Sequence, residues 1–339
     1  MEIEMTQRAG VLCELPQVLC DLGVDVATVF RGSGVDPSEI NPNTRVPFNR
    51  LLNLLHGAEQ ATNCPHLGLL IGLRFTFDIH GPIGQLMLSA ATVRDAFSDF
   101  VIWQPGYSSG AIVYLNRYGD EYAIGYGSIA ASSPGSKVLY DAIIGVGVQM
   151  LRKMTNGAVK PVEIHFSHLP PERPSDYARL LKVPVRYNQH RTCLILDEAG
   201  MRTPLPSADS AARRDILAGI RKVAFQTPPD VSTRTRQAIR RVMLIAKPTL
   251  SAVAFQMGTH PRTLERRLSK EGQTFGIMRD AVRFSAAKEL LELTDIPVSD
   301  IASHLWYASP GVFSSAFRRL SGTTPSAWRA ATPGIKPSV

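Results

Sequence analysis

Between Pro248 and Arg329 the chain shows one pattern twice: a short helix with an apolar face, a sharp turn, and a second helix with its own apolar face. In the first copy Leu250, Val253, Ala254 and Met257 recur at helical spacing and so share one buried face. Gly258 follows, where a tight turn between helices calls for a positive φ that glycine adopts at little cost. Pro261 suits the first position of the next helix, whose amide lacks an intrahelical partner anyway. Leu264 and Leu268 continue the inward face. The second copy keeps this frame with Val298, Ile301, Ala302 and Leu305, then Phe313 and Phe317. Two helices joined in this way make a helix-turn-helix, whose second helix lies in the DNA major groove. A helix over roughly 274–293 carries Ile277, Ala281, Phe284 and Leu291 at helical spacing. It is expected to join the two units rigidly and hold their recognition helices one DNA turn, ~34 Å, apart.

The apolar face of the first recognition helix leaves Arg262, Thr263, Glu265, Arg266 and Arg267 pointing outward or sideways. Arg262 and Arg266, four apart, project from one face, and arginine grips guanine O6 and N7 in a bidentate way. His260, Thr263 and Arg267 are better placed to touch phosphates and fix register. An exposed basic helix laced with i,i+4 salt bridges would explain the same arginines. The turn glycine, the proline and the two apolar faces together favour recognition.

Charge is divided unevenly. The whole chain carries 37 Lys+Arg and 29 Asp+Glu, a net +8. Residues 231–339 alone hold 16 basic and 7 acidic residues, so the preceding 230 residues are close to neutral. A basic third joined to a neutral remainder is the electrostatic footprint of a nucleic-acid-binding domain with a partner domain.

These residues resemble the AraC/XylS family of bacterial transcription regulators. The resemblance rests on an A-x-x-x-G-x-x-x-R-x-L core, here Ala254, Gly258, Arg262 and Leu264. It rests also on a closing pattern met by Phe313, Ala316, Phe317, Arg318, Arg319, Gly322, Pro325, Trp328 and Arg329. It implies an activator or repressor whose first recognition helix makes most base contacts, here through Arg262, Glu265 and Arg266. The second unit departs from the family: Trp306 replaces the usual turn glycine, and Gly311 and Ser315 stand where longer side chains are common. A bulky residue at positive φ costs on the order of 1–2 kcal/mol or forces a different turn. The second unit, with Ser309, Gly311, Ser314, Ser315 and Arg318 facing DNA, is therefore expected to hold phosphates, Arg318 foremost, rather than to read bases. The first 200 residues resemble the sensing domain of the ornithine-utilisation branch of this family. The matching stretches are RVPFNRLLNLLHGAEQAT, LGLLIG and GPIGQLMLSAATVRDAFSDF.

Upstream of the basic third, residues 11–73 read as helical, with a further helix over 91–103 capped by Thr92. Period-two alternation over 111–129, broken at a Gly-Asp turn, predicts a hairpin. A long helix over 135–156, a strand at 162–168, a short helix at 174–181, strands near 183–188 and 192–197, and a helix at 209–226 follow. The fold expected is α+β: a mixed helix and antiparallel-sheet effector domain (1–226), then an all-α tandem helix-turn-helix domain (231–331). Thr227, Pro228 and Pro229 break the chain between them; residues 227–230 form the linker and 332–339 a tail.

Catalytic readings fail on context. Gly106-Tyr107-Ser108-Ser109-Gly110 matches G-x-S-x-G, but that chemistry needs a strand before the serine and a helix after it, and here the order is reversed. His165 and His168, on what reads as one strand, would point to opposite faces and so not share a metal. Cys13, Cys20, Cys64 and Cys193 form no C-x-x-C pair and no zinc spacing. The glycines of 145–150 lie within a helical stretch and make no phosphate loop. No apolar run reaches the roughly 18 residues of a membrane span, and the acidic start is not a secretory signal. A cytoplasmic, non-enzymatic regulator without cofactor or metal is expected. Its partners would be double-stranded promoter DNA, a small-molecule effector, RNA polymerase and, left open, a second copy of the chain. Phe75, Phe77, Trp103 and Tyr107 are the residues expected to line an effector pocket, with plain core as their alternative role. A constitutive dimer or an architectural DNA-binding protein without effector is the competing reading.

Overall fold

The N-terminal segment forms strand β1 (Thr6–Arg8), which pairs antiparallel with β2 (Arg45–Pro47) across helices α1 (Leu15–Asp21) and α2 (Val26–Phe30). The computed structural model describes residues 4–130, 134–226 and 230–332. Strand β2 interrupts the region 11–73 that the sequence reads as helical, and β1 lies just before it. Strands of three residues are too short to show a period-two pattern, and their pairing is settled by contacts distant in the chain.

Helices α3 (Phe48–Thr62), α4 (Leu67–Gly72), α5 (Pro82–Leu88) and α6 (Val93–Trp103) follow. Thr92 caps α6 as expected, its hydroxyl accepting the Asp95 amide at 3.2 Å. The hairpin β3 (Ala111–Tyr118) and β4 (Glu121–Ser128) turns at Gly119, whose φ is +61°. Next come α7 (Ser136–Met154), β5 (Glu163–His165), α8 (Pro174–Leu181), β6 (Val185–Arg186), β7 (Thr192–Asp197), α9 (Glu198–Arg202) and α10 (Ser210–Gln226). The five strands form a sheet in the order β3-β4-β7-β5-β6, antiparallel except where β5 meets β6. Strands β5 and β6 are shorter than the sequence suggested.

Both faces of this sheet are buried, by different parts of the chain. Side chains alternate across a strand, so Tyr122, Ile124 and Tyr126 of β4 and Leu194 and Leu196 of β7 join the core built with α3, α4, α6 and α7. The intervening residues Ile112, Tyr114, Ala123, Cys193 and Ile195 enter a second core shared with the C-terminal helices. Helix α7 lies very close to α4: a Cβ added at Gly72 would meet the Ala142 carbonyl oxygen at 2.0 Å, and one at Gly145 would meet the Gly72 Cα at 2.9 Å. Of the two glycines of α7, Gly145 serves this close helix packing, and Gly147 faces the Leu194 side chain of β7, which a Cβ would meet at 2.9 Å.

The C-terminal part consists of α11 (Val231–Met243), α12 (Leu250–Gln256), α13 (Pro261–Lys270), α14 (Phe275–Leu293), α15 (Val298–His304), α16 (Pro310–Ser321) and α17 (Pro325–Ala331). Of the expected linker 227–230, residues 227–229 lie outside the described residues, as does nearly all of the tail 332–339. Helix α14 departs from expectation in its facing. Ile277 and Ala281 are exposed, whereas Met278, Val282, Ala286, Leu290 and Leu291 are buried. It packs against α11 and α17 and also carries buried Arg283, Ser285 and Glu289, so no single apolar stripe describes it.

Candidate nucleic-acid interface

Each recognition helix is placed by a capped start and a buried row. Helix α12 opens on Thr249, whose hydroxyl accepts the Ala252 amide at 3.2 Å. It closes at Gly258, with φ +62°, and the Thr259 amide donates to the Ala254 carbonyl at 2.9 Å. Helix α13 opens on His260, whose Nδ1 accepts the Arg262 amide at 3.3 Å, with Pro261 at its first position. Leu264 and Leu268 are fully buried, which turns Arg262, Glu265, Arg266 and Arg267 to the exposed side and leaves Thr263 half-buried. Among the described residues none of these four charged side chains has an ion-pair partner, so the helix is not laced by salt bridges. The base of the unit is tied to α11 through Glu271, whose carboxylate accepts the Val231 and Ser232 amides at 3.1 and 3.0 Å.

The second unit makes the same turn with a different residue. Trp306 stands at φ +62°, the value of Gly258, and the Tyr307 amide donates to the Ala302 carbonyl at 3.0 Å, matching Thr259 and Ala254. The turn is thus retained despite the backbone cost of a side chain there, on the order of 1–2 kcal/mol. Two contacts offset it: the indole Nε1 donates to the Met243 carbonyl at 2.8 Å, and the Trp306 carbonyl accepts from Arg283 Nη2 at 2.9 Å. Helix α16 is capped by Ser309, whose hydroxyl accepts the Val312 amide at 3.3 Å. Phe313 and Phe317 are buried against Tyr307, Phe284 and Trp328, with ring centroids 5.1 to 5.8 Å apart. Gly311, Ser315 and Arg318 are exposed and Ser314 half-buried. A Cβ at Gly311 would meet only the Ser309 hydroxyl, at 3.8 Å, so no neighbour excludes a longer side chain. Arg319 lies 3.5 Å from Asp280 of α14, while Arg318 has no ion-pair partner among the described residues.

Helix α11 docks the DNA-binding half onto the sheet. Gln237 Nε2 donates to the Ser108 carbonyl at 2.9 Å and Arg240 Nε to the Ser128 carbonyl at 3.1 Å. Arg240 also faces Glu289 of α14, and the Tyr140 hydroxyl of α7 donates to the same carboxylate. Burial pushes the Glu289 carboxyl up, against the pull of Arg240 and Tyr140. Further along, the Leu169 amide donates to the Leu293 carbonyl at 2.9 Å, the Asp295 amide to Asn188 Oδ1 at 3.1 Å, and His190 stacks on His304 at 4.6 Å. Spacing arguments did not find these contacts; a buried Arg and Glu on different helices leave no short-range trace.

The neutral half encloses an apolar cavity of about 90 Å³ between α3, α4, α6, α7 and the sheet. Phe75 and Tyr107 line it. Phe77 packs edge-on to Phe75 at 5.2 Å and half-buried Trp103 stands apart, neither being part of its wall. Gln7, Arg8, His80 and Tyr126 are wall residues that the sequence reading missed.

The rejected motifs have structural roles. Ser108 is fully buried, preceded by a 3-10 turn at Gln104–Gly106 and followed by β3. His165 pairs with Glu163 at 2.6 Å. His168 lies beyond the strand, and its Nε2 contacts Asp141 at 3.0 Å; it is a buried hydrogen-bond partner of that carboxylate rather than an ordinary strand-end histidine. Burial would raise the Asp141 carboxyl, but Lys137 and His168 outweigh this and hold it low. Among the described residues no group of three or more His, Cys, Asp or Glu is placed to hold a metal, and no helix is long and apolar enough to cross a membrane.

Two capped helix-turn-helix units behind an α+β domain define a DNA-binding transcription regulator. A family model described as the arabinose-binding domain of AraC transcription regulator matches residues 23–205, and a helix-turn-helix domain model matches 253–331. The chain belongs to the AraC family of transcription regulators. It is 25% identical over 330 residues to the ornithine utilization regulator of Pseudomonas aeruginosa, covering 94% of each chain. It is 22% identical over 335 residues to the transcriptional regulator VirS of Mycobacterium tuberculosis, covering 97% of this chain and 98% of that one. Among solved structures, the regulator CdpR of Pseudomonas aeruginosa aligns over 94% of this chain and 96% of that one, with 19% identity and a TM-score of 0.47. The full-length relatives being named regulators agrees with a non-enzymatic role.

Proposed function

We propose that this protein is a cytoplasmic, sequence-specific transcription activator whose hold on promoter DNA is set by a small molecule bound in the domain formed by residues 1–226. The observation that carries this reading is the row Arg262, Glu265, Arg266 and Arg267, exposed on a capped helix and without ion-pair partners among the described residues. Arg262 and Arg266 read bases, Glu265 selects among them, and His260, Thr263 and Arg267 fix the register on phosphates. In the second unit Ser309, Gly311, Ser314, Ser315 and Arg318 face the backbone of the next groove, with Arg318 supplying the charge. Residues 231–331 act as the DNA-binding domain, and activation proceeds through contact with RNA polymerase, with a second copy of the chain filling a second half-site.

Family membership and the name of the ornithine utilization regulator support control by a small metabolite. The apolar cavity that includes Phe75 and Tyr107 supplies the site, and Phe77 backs its wall. Competition binding between promoter and random duplexes at one fixed salt concentration tests the reading. The expected outcome is a preference of roughly a thousandfold or more for the promoter, changed by effector. Equal affinity for both duplexes would mark an architectural protein instead.

A further inference from the structure

The cavity of the neutral half carries more chemistry than its apolar walls suggest. Four polar atoms without a hydrogen-bond partner among the described residues belong to residues lining it: Gln7 Oε1, both ring nitrogens of His80, and the Tyr126 hydroxyl. Tyr126 is 3% exposed and His80 8%. A buried polar group without a partner is costly, and the donors of Tyr126 and His80 on one cavity point to a missing ligand that accepts hydrogen bonds. His80 sits among Phe75, Phe100 and Tyr107, with centroids 4.7 to 5.1 Å away. This burial pushes its imidazole down to about 3, so it is neutral at physiological pH and offers one donor and one acceptor.

One charged residue stands in the wall among the described residues. Half-buried Arg8 lies over the Tyr107 ring at 5.1 Å, with Nη1 donating to Asn43 Oδ1 at 3.1 Å. No carboxylate lies within ion-pair distance of it among the described residues, and none lines the cavity. An ammonium group placed there would have no counter-charge. A sugar carries no charge to meet Arg8 and would set its hydroxyls against the apolar majority of the wall. An apolar cavity of about 150 Å³ takes benzene, so one of this size takes about four carbons.

We propose that this cavity binds a short-chain aliphatic carboxylate, with its carboxylate against the Arg8 guanidinium and its alkyl chain among Phe75, Phe97, Ile124 and Leu139. This assignment rests on the reading of the protein as an effector-controlled regulator and names the chemical class of that effector.

The probes are butyrate, 1-butanol, 4-aminobutyrate and D-ribose, titrated against the full-length protein by calorimetry and thermal shift. Butyrate is expected to bind and raise the melting temperature, with the other three weaker by roughly tenfold or more, the worth of a charge-assisted hydrogen bond. Arg8→Gln should weaken butyrate by roughly tenfold and leave it no better than 1-butanol. Tyr126→Phe removes a buried donor and should weaken butyrate by about threefold to tenfold while the empty protein stays folded. No binding by any probe, meaning a water-filled cavity only, overturns the proposal, as does butyrate affinity indifferent to both variants. DNA anisotropy on the same samples separates the two readings. If butyrate fails while another metabolite alters DNA affinity, effector control stands and the carboxylate class falls. If butyrate binds through Arg8 without altering DNA affinity, the site stands and control through it falls.

Discussion

Arg240 of α11 and Glu289 of α14 face each other at 3.6 Å, with side chains 7% and 6% exposed, at the seam where the DNA-binding half meets the sheet. Tyr140 of α7 shares the carboxylate, and Arg240 Nε also holds the Ser128 carbonyl of β4. Removing one partner of a buried pair strands the other, at a cost of about 3–5 kcal/mol, whereas replacing both with apolar residues is often near neutral. Arg240→Met is therefore expected to destabilise the protein strongly, and Arg240→Met with Glu289→Met much less than the sum of the single changes. Urea unfolding of the cycle checks this; additive effects would show that the pair is not coupled.

The two turns at φ +62° should respond unequally to substitution. A Cβ at Gly258 meets nothing within 4 Å, so Gly258→Ala carries only the backbone cost, about 1–2 kcal/mol. Trp306→Gly relieves the same strain but loses the indole bond to Met243, worth about 1 kcal/mol, and the packing around it. The net change is expected to lie within about 1 kcal/mol of zero. Thermal unfolding of both variants is the measurement, and an equal loss from each would refute the compensation.

Acid should loosen the protein well before its carboxylates titrate. Burial, reinforced at His304 by His190, pushes His80 and His304 down to about 3, against the ordinary 6.5. Between those values the unfolded chain takes up protons that the folded one refuses, so stability is highest above 6.5 and falls as pH drops. Each such histidine contributes a slope of up to about 1.4 kcal/mol per pH unit. His304→Gln should flatten the decline measured from pH 7 to 5; an unchanged slope would place His304 in solvent.

The two recognition helices should differ in kind. Arg262→Ala is expected to cost about 1–3 kcal/mol on the promoter and to relax base preference at one position. Arg318→Ala should weaken promoter and random DNA alike and lower the salt slope by about 1. Anisotropy titrations over a salt series distinguish them, and a uniform loss for Arg262→Ala would reverse the assignment.

Close packing of α4 on α7 predicts a sharp size limit. Gly72→Ala places its Cβ on the Ala142 carbonyl oxygen and is expected to cost about 1–3 kcal/mol, as overpacking does. A neutral result in chemical denaturation would mean that the helices separate without penalty.

Local signals made the DNA-binding half legible. The Gly258 turn, Pro261 and the rows Leu264–Leu268 and Phe313–Phe317 are short-range patterns, and the helices fall where those patterns placed them. The fold class of the first half was legible for the same reason, since the 111–129 alternation and the 135–156 periodicity are intrinsic to their segments. What stayed hidden was long-range. The β1–β2 pair joins residues about forty apart, the facing of α14 depends on several neighbours at once, and the cavity draws Arg8, His80 and Tyr126 from separate elements. Trp306 showed that a known turn can survive an unfavourable residue when the side chain finds its own anchor.

Strand β4 serves two clients in alternation: Tyr122, Ile124 and Tyr126 look into the core that holds the cavity, and Ala123 into the core shared with the C-terminal helices. A single residue inserted in this strand would exchange the two rows. Phenol rings would then arrive where α11 docks, and the cavity would lose Tyr126. A one-codon insertion would therefore disturb the cavity wall and the docking of the C-terminal helices in one step.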